Sequence, residues 1–220
     1  MQPDGTVIFP PYPRGSELGW SNRYGTATAG GGGFDFFRYT IFQTPAFNNK
    51  NFDFASDYNR ARKVKIKGQS APEVFTAPTD LSTFRARGGK LIIYHGWADP
   101  VISPNSSIDY YSRVVKAQGA ANTDSFLRLF MAPGMGHCNS GPGPQNFGGS
   151  TGKAPVADAE HDVVRALDKW STTRIAPDTM IASLVTANTV TRTRPLCAWP
   201  KAAIYKGTGS TDDASNFQCQ

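Results

Sequence analysis

Apolar and polar positions along the chain fall into two textures that change at Lys90. From there, Leu91-Ile92-Ile93-Tyr94 is a short unbroken apolar run, the pattern of a parallel strand covered on both faces. Ser103-Pro104-Asn105 follows, and proline suits the first turn of a helix. Ile108, Tyr111, Val114 and Val115 then recur at helical spacing until Gly119 ends the run. Phe126-Leu127-Arg128-Leu129-Phe130-Met131 reads as a second strand, halted by Pro133-Gly134. Strand, helix and strand in that order predict a right-handed crossover with two parallel strands, so that the turns leaving both strands share one edge of the sheet.

Downstream, a loop rich in Gly and Pro spans residues 139 to 153, and Val156 to Thr172 is predicted as a helix burying Val156, Ala159, Val163, Leu167 and Trp170. A strand is expected near Ile181 to Val190, then a tail that carries Cys197 and Cys219. The first 90 residues have little sustained periodicity and abound in Gly, Pro, Asn and aromatics, which predicts a loop-rich, partly helical region. Gly30 to Gly33 lacks the Lys-Ser/Thr of a phosphate loop and no strand precedes it, so it reads as a flexible turn. The aromatic stretch Phe34 to Phe42 reads as packing against a core, with an aromatic-binding pocket as the functional alternative.

At 220 residues and 39% apolar, the chain is long enough for one domain with a real core or for part of a larger one. The formal charge of +6 invites a nucleic-acid partner. Only Arg60 to Lys67 is dense in positive charge, however, and no nucleic-acid motif surrounds it, so it is read as a solvated, strand-like surface segment. No run of 18 apolar residues exists to span a membrane as a helix. The first five residues lack the features of a secretory signal, and a protein starting there would stay in the cytosol. The three cysteines point the other way, because a disulfide between Cys197 and Cys219 would pin the loop-rich tail. That pairing leaves Cys138 with either a partner outside this sequence or the role of a free buried thiol.

Each predicted turn of the crossover presents one residue with catalytic chemistry: Asp99 in Gly96-Trp97-Ala98-Asp99-Pro100 and His137 in Gly134-Met135-Gly136-His137-Cys138. Ligands of open parallel sheets bind at the carboxyl ends of the strands. Acyl transfer needs a base near neutral pKa and a carboxylate to fix its tautomer, and Asp before His is the chain order of α/β-hydrolases. Either residue alone would read as an ordinary turn residue; two at successive strand ends read as a pair. No serine in a nucleophile setting precedes them. Gly148-Gly149-Ser150-Thr151-Gly152 satisfies G-x-S-x-G, but no strand leads into it and it follows His137, so Ser150 is read as a chance match. His95, at a strand end near Asp99 and within reach of the site, is read as structural with a contact to the site as the alternative; His161, on the late predicted helix, is read as structural. No Cys/His cluster has zinc spacing. Asn105-Ser106-Ser107 is a glycosylation sequon, usable only in a secreted chain.

Asp80 to Pro100, Arg128 to Cys138, Thr193 to Cys197, Tyr205 to Ser210 and Gly15 to Trp20 together resemble the tannase/feruloyl esterase family of α/β-hydrolases over nearly the whole chain. The resemblance implies that Asp99 and His137 are the catalytic acid and base of a serine esterase. It further implies that Cys138 is the cysteine after the family's histidine, bonded there to a cysteine directly before the nucleophilic serine. That serine, its cysteine, the oxyanion-hole donors and a structural calcium loop would all lie upstream. Residues 1–80 would be the end of the lid or substrate-binding domain, and residues 81–220 the C-terminal part of the α/β core, with Cys197 bonded to Cys219. Catalysis would need no cofactor. The partners would be the upstream part of the protein and a small aromatic ester such as a gallate, a ferulate or, in one branch, mono(2-hydroxyethyl) terephthalate, with Trp20, Phe34 or Phe37 as ring contacts. Secretion is implied as well. The reading from a different class is a non-catalytic truncated product or binding module.

Overall fold

The structure, a computed structural model, describes residues 9–20, 35–48, 51–53, 55–71, 74 and 76–220. Gly30 to Gly33 and Phe34 lie outside the described residues. Two compact units emerge, one formed by residues 1–10 and 21–78 and the other by residues 11–20 and 79–220.

The first unit holds a π-helical turn at Phe36–Ile41, helix α1 (Ser56–Lys63) and a small antiparallel pair, β1 (Lys65–Ile66) and β2 (Gln69–Ser70). Its core is Ile41, Phe42, Ala61 and Ala71, against which Phe36, Phe37, Phe47, Phe52, Val64 and Ile66 pack. The aromatic stretch therefore has the packing role: the Phe37 ring meets Phe52 at 4.8 Å, and Phe42 meets Phe47 at 4.6 Å. The basic segment departs from the strand-like expectation in its first half, where residues 60–63 close α1, and meets it at Lys65–Ile66, which form β1. Arg60 lies over the Phe42 ring at 4.6 Å and Arg62 over Tyr58 at 5.7 Å, contacts that suit long cationic side chains on a helix.

The second unit opens with a 3-10 turn at Ser16–Gly19 and a short helix α2 (Ser82–Ala86). Strand β3 (Leu91–Gly96), helix α3 (Asn105–Gln118), helix α4 (Ala120–Asp124) and strand β4 (Leu127–Ala132) follow. β3 and β4 pair in parallel from Leu91↔Leu127 to Gly96↔Ala132. Residues along β3 alternate between two cores. Leu91 and Ile93 pack with Val114 of α3, Phe126 and Leu127, while Ile92 and Tyr94 pack with Phe130, Phe147, Val163, Met180 and Leu196. A strand with apolar cover on each side needs the unbroken apolar run seen in the sequence. Gly119 ends α3 at φ 82, a conformation that glycine adopts without steric cost.

Helix α5 (Val163–Thr173) begins seven residues later than predicted. Aspartates explain the difference: Asp158 Oδ1 accepts the backbone N–H of Glu160 and His161, and Asp162 Oδ1 accepts those of Val164 and Arg165, so the helix is capped at Asp162. Val156 is consequently 47% exposed, and His161 stands in the turn before the helix rather than on it. The single strand expected near 181–190 is a hairpin of β5 (Thr179–Thr186) and β6 (Thr189–Cys197). Its two-residue turn places Ala187 at φ 48 and Asn188 at φ 64, the left-handed pair that matches strand twist. β7 (Ala203–Tyr205) and β8 (Phe217–Cys219) pair antiparallel, and a Cys197–Cys219 disulfide ties β8 to the end of β6. No helix among the described residues is long and apolar enough to cross a membrane.

Candidate active site

Parallel pairing in register carries the turns after β3 and β4 to the same sheet edge, and Gly96 lets them touch. A Cβ on Gly96 would stand 2.2 Å from the Met135 carbonyl oxygen, so only glycine admits the His137 loop this closely. Across that contact Asp99 and His137 meet, with Asp99 Oδ2 2.8 Å from His137 Nδ1.

Asp99 is 2% exposed and every polar contact on it has a purpose. Oδ1 accepts the backbone N–H of Val101 at 2.7 Å and of Ile102 at 3.0 Å, an Asx turn that fixes the carboxylate plane. Oδ2 faces two imidazoles, His137 Nδ1 and, at 3.1 Å, His95 Nε2. Burial pushes the carboxyl's pKa up, but the hydrogen bonds from His137, Ile102 and Val101, with the positive charge His137 can carry, outweigh it and hold the group below its ordinary value. Asp99 is therefore an anion at neutral pH. The His137 side chain is 48% exposed, and with Nδ1 turned to Asp99 its Nε2 is the nitrogen left to exchange a proton with a reacting group.

The acid loop is also strapped from outside. Ser103, fully buried, donates to the Pro11 carbonyl at 2.6 Å, Asn105 Nδ2 donates to the same oxygen at 2.8 Å, and the Tyr12 hydroxyl donates to the Val101 carbonyl at 2.7 Å. No local pattern in the sequence points to this strap, because its partners are some ninety residues apart and one side of each bond is backbone.

Other candidates are placed elsewhere. The Ser150 hydroxyl lies 2.7 Å from the Tyr94 hydroxyl and makes no hydrogen bond to His137 or Asp99. His161 Nδ1 meets Asp158 at 2.8 Å. Trp20 stands edge-on to Tyr12 at 6.0 Å and is 41% exposed. Cys138 is exposed and its thiol is free, adjacent to His137. Among the described residues no three His, Cys, Asp or Glu side chains gather to hold a metal ion.

A cleft of about 140 Å³ opens beside the pair, lined by Tyr94, His95, Asp99, Ile102, His137 and Cys138 among others. A larger cavity of about 520 Å³ lies by Glu160, Lys206 and Phe217, but it contains no base paired to a buried carboxylate. The chemistry therefore points to the smaller cleft.

A family model described as tannase and feruloyl esterase matches residues 15–220. An uncharacterized esterase of Xanthomonas campestris pv. campestris is 40% identical over 220 residues, covering 89% of this chain and 38% of that protein. A probable feruloyl esterase B-1 of Aspergillus oryzae is 32% identical, over 98% of this chain and 39% of that protein. The crystal structure of feruloyl esterase B from Aspergillus oryzae superposes with a TM-score of 0.87 at 30% identity, over 99% of this chain and 42% of that one. The chain thus spans about two fifths of the length of the curated relatives it matches.

Proposed function

This chain belongs to the tannase and feruloyl esterase family, with its α/β-hydrolase fold, and from that premise we propose that it carries the acid and the base of a serine-type carboxylic ester hydrolase whose nucleophile lies on polypeptide outside these 220 residues. The 2.8 Å contact between Asp99 and His137 at the carboxyl ends of two parallel strands carries the reading.

In this reading the serine hydroxyl attacks the ester carbonyl carbon while His137 Nε2 takes its proton, and Asp99 stabilises the imidazolium that forms. Collapse of the tetrahedral intermediate breaks the ester bond; the departing alcohol takes the proton from His137 and leaves an acyl-serine. Water then attacks that acyl group with His137 again as base, the acid is released and the serine regains its proton. Cys138, exposed beside the base, suits a disulfide to a cysteine next to the nucleophile, which would hold nucleophile and base in reach of each other.

The names of the relatives support an ester of an aromatic acid as substrate. The Cys197–Cys219 disulfide supports an oxidising destination and hence secretion.

The test is hydrolysis of methyl ferulate and methyl gallate by the longer protein that carries this chain. Wild type should turn over, and His137→Ala and Asp99→Asn should each lose roughly three to four orders of magnitude in kcat. Undiminished turnover by His137→Ala would sink the assignment, and a wild-type protein inert on every ester tried would favour the non-catalytic module.

A further inference from the structure

Asp99 Oδ2 serves two imidazoles, and the second of them, His95, has no part in the chemistry described above. Its ring is nearly enclosed, with 12% of the side chain exposed. Nε2 stands 3.1 Å from Asp99 Oδ2 and 3.2 Å from the Ile102 carbonyl oxygen, and Nδ1 stands 2.7 Å from the Ser107 hydroxyl in the first turn of α3. A carbonyl oxygen can only accept, and so can an ionised carboxylate. The ring nitrogen that faces both must therefore carry a proton. In the neutral ring Nδ1 is then an acceptor, which the Ser107 hydroxyl satisfies as donor.

We propose that His95 is a positioning residue for the acid of this site: held by Ser107 in the Nε2–H tautomer, it donates to Asp99 Oδ2 and fixes the carboxylate for His137. The inference rests on the esterase reading for its kinetic consequences only. Four donors then surround Asp99, two backbone N–H groups on Oδ1 and two imidazoles on Oδ2. The carboxylate cannot rotate without breaking one of them.

The chemical consequence has a definite sign. A donor on Oδ2 draws negative charge from the carboxylate and so weakens its hold on the His137 proton. Removing that donor makes Asp99 a stronger acceptor for His137 Nδ1–H, and that hydrogen bond tightens. Among the described residues, the titratable groups lining the cleft beside His137 are Asp99, His95, Tyr94 and Cys138, with no lysine, arginine or glutamate. A change in that hydrogen bond on replacing His95 thus has few other sources.

Variants of the longer protein, labelled with 15N at histidine, test this with two readouts. Ring nitrogen shifts in wild type should identify the neutral His95 ring as the Nε2–H tautomer. His95→Leu should move the His137 Nδ1–H proton resonance downfield, as its hydrogen bond to Asp99 tightens, with kcat for methyl ferulate falling about tenfold. His95→Gln, whose side-chain amide reaches the position of Nε2, should restore both. Ser107→Ala, which leaves the His95 ring in place, should shift both in the same direction by less, and it keeps the test decisive if His95→Leu fails to fold. An Nδ1–H tautomer, or variants in which the His137 Nδ1–H resonance stays put, would overturn the inference even in a fully active esterase. A shifted resonance in a protein without esterase activity would leave the inference standing and remove the functional reading instead.

Discussion

Gly96 ends β3 directly beneath the carbonyl oxygen of Met135, at a distance where a Cβ would be 2.2 Å away. This contact sets the separation of the two strand-end turns and hence of Asp99 from His137. Gly96→Ala must push backbone against backbone, and overpacking of that kind costs about 1–3 kcal/mol. Displacing a base by an ångström costs about a hundredfold in rate. The variant should therefore fold with a lowered urea midpoint and lose about a hundredfold in kcat. Wild-type kcat in Gly96→Ala would show that the two turns are not held by this approach.

Stability should respond to acid through Asp99. Its pKa lies below the unfolded value, so its contribution to folding is whole above the unfolded carboxylate pKa of about 4 and is lost as pH falls through the lower folded value. Asp99→Asn removes that dependence. Urea unfolding of wild type and variant should show a gap that is constant from neutral pH down to about 4 and narrows below it. A gap that widens on acidification would mean that the folded carboxyl binds its proton more tightly than the unfolded one.

Ser150→Ala should leave ester hydrolysis unchanged within twofold. The Ser150 hydroxyl is paired with the Tyr94 hydroxyl rather than with His137, and its loop does not follow directly from a strand. A variant without turnover on methyl ferulate would make Ser150 the nucleophile and end the argument for one outside this chain.

The elements that were legible in the sequence are those whose pattern is local. β3 and β4 are apolar runs bounded by turn residues, and α3 shows helical spacing up to a stop glycine. Their order puts Asp99 and His137 on one edge, which made the pair readable before any distance was known. The start of α5 was not legible, because Asp158 and Asp162 each offer a cap and the apolar spacing runs through both. Nor was the β5–β6 turn, which uses Ala187 and Asn188 where glycine would have marked it. His95 is a subtler case. It meets Asp99 four residues on, through a turn rather than a helix, and Ser107 only because the crossover brings α3 back to the end of β3. Sequence spacing alone signals neither contact.

The cysteines give a prediction in which two bonds should behave differently. Cys138 is exposed, at φ 61, whereas Cys197 is 5% exposed and its bond to Cys219 closes a loop across a sequence separation of 22 residues. In the longer protein Cys138 should resist alkylation until a reductant is added, because its thiol would be bonded to the cysteine beside the nucleophile. Exposed disulfides exchange first, since the attacking thiolate must reach a sulfur. Mild reduction should therefore open the Cys138 bond while Cys197–Cys219 stays closed. Nucleophile and base would lose their covalent tie, so hydrolysis should fall before the thermal transition does. Stronger reduction, or Cys219→Ser, should then lower stability by about 3 kcal/mol, the loop-closure contribution expected for a ring of this size. Mass spectrometry of alkylated peptides at each stage gives the order directly. Cys138 found alkylated in unreduced, fully active protein would break the proposed link between this chain and its nucleophile.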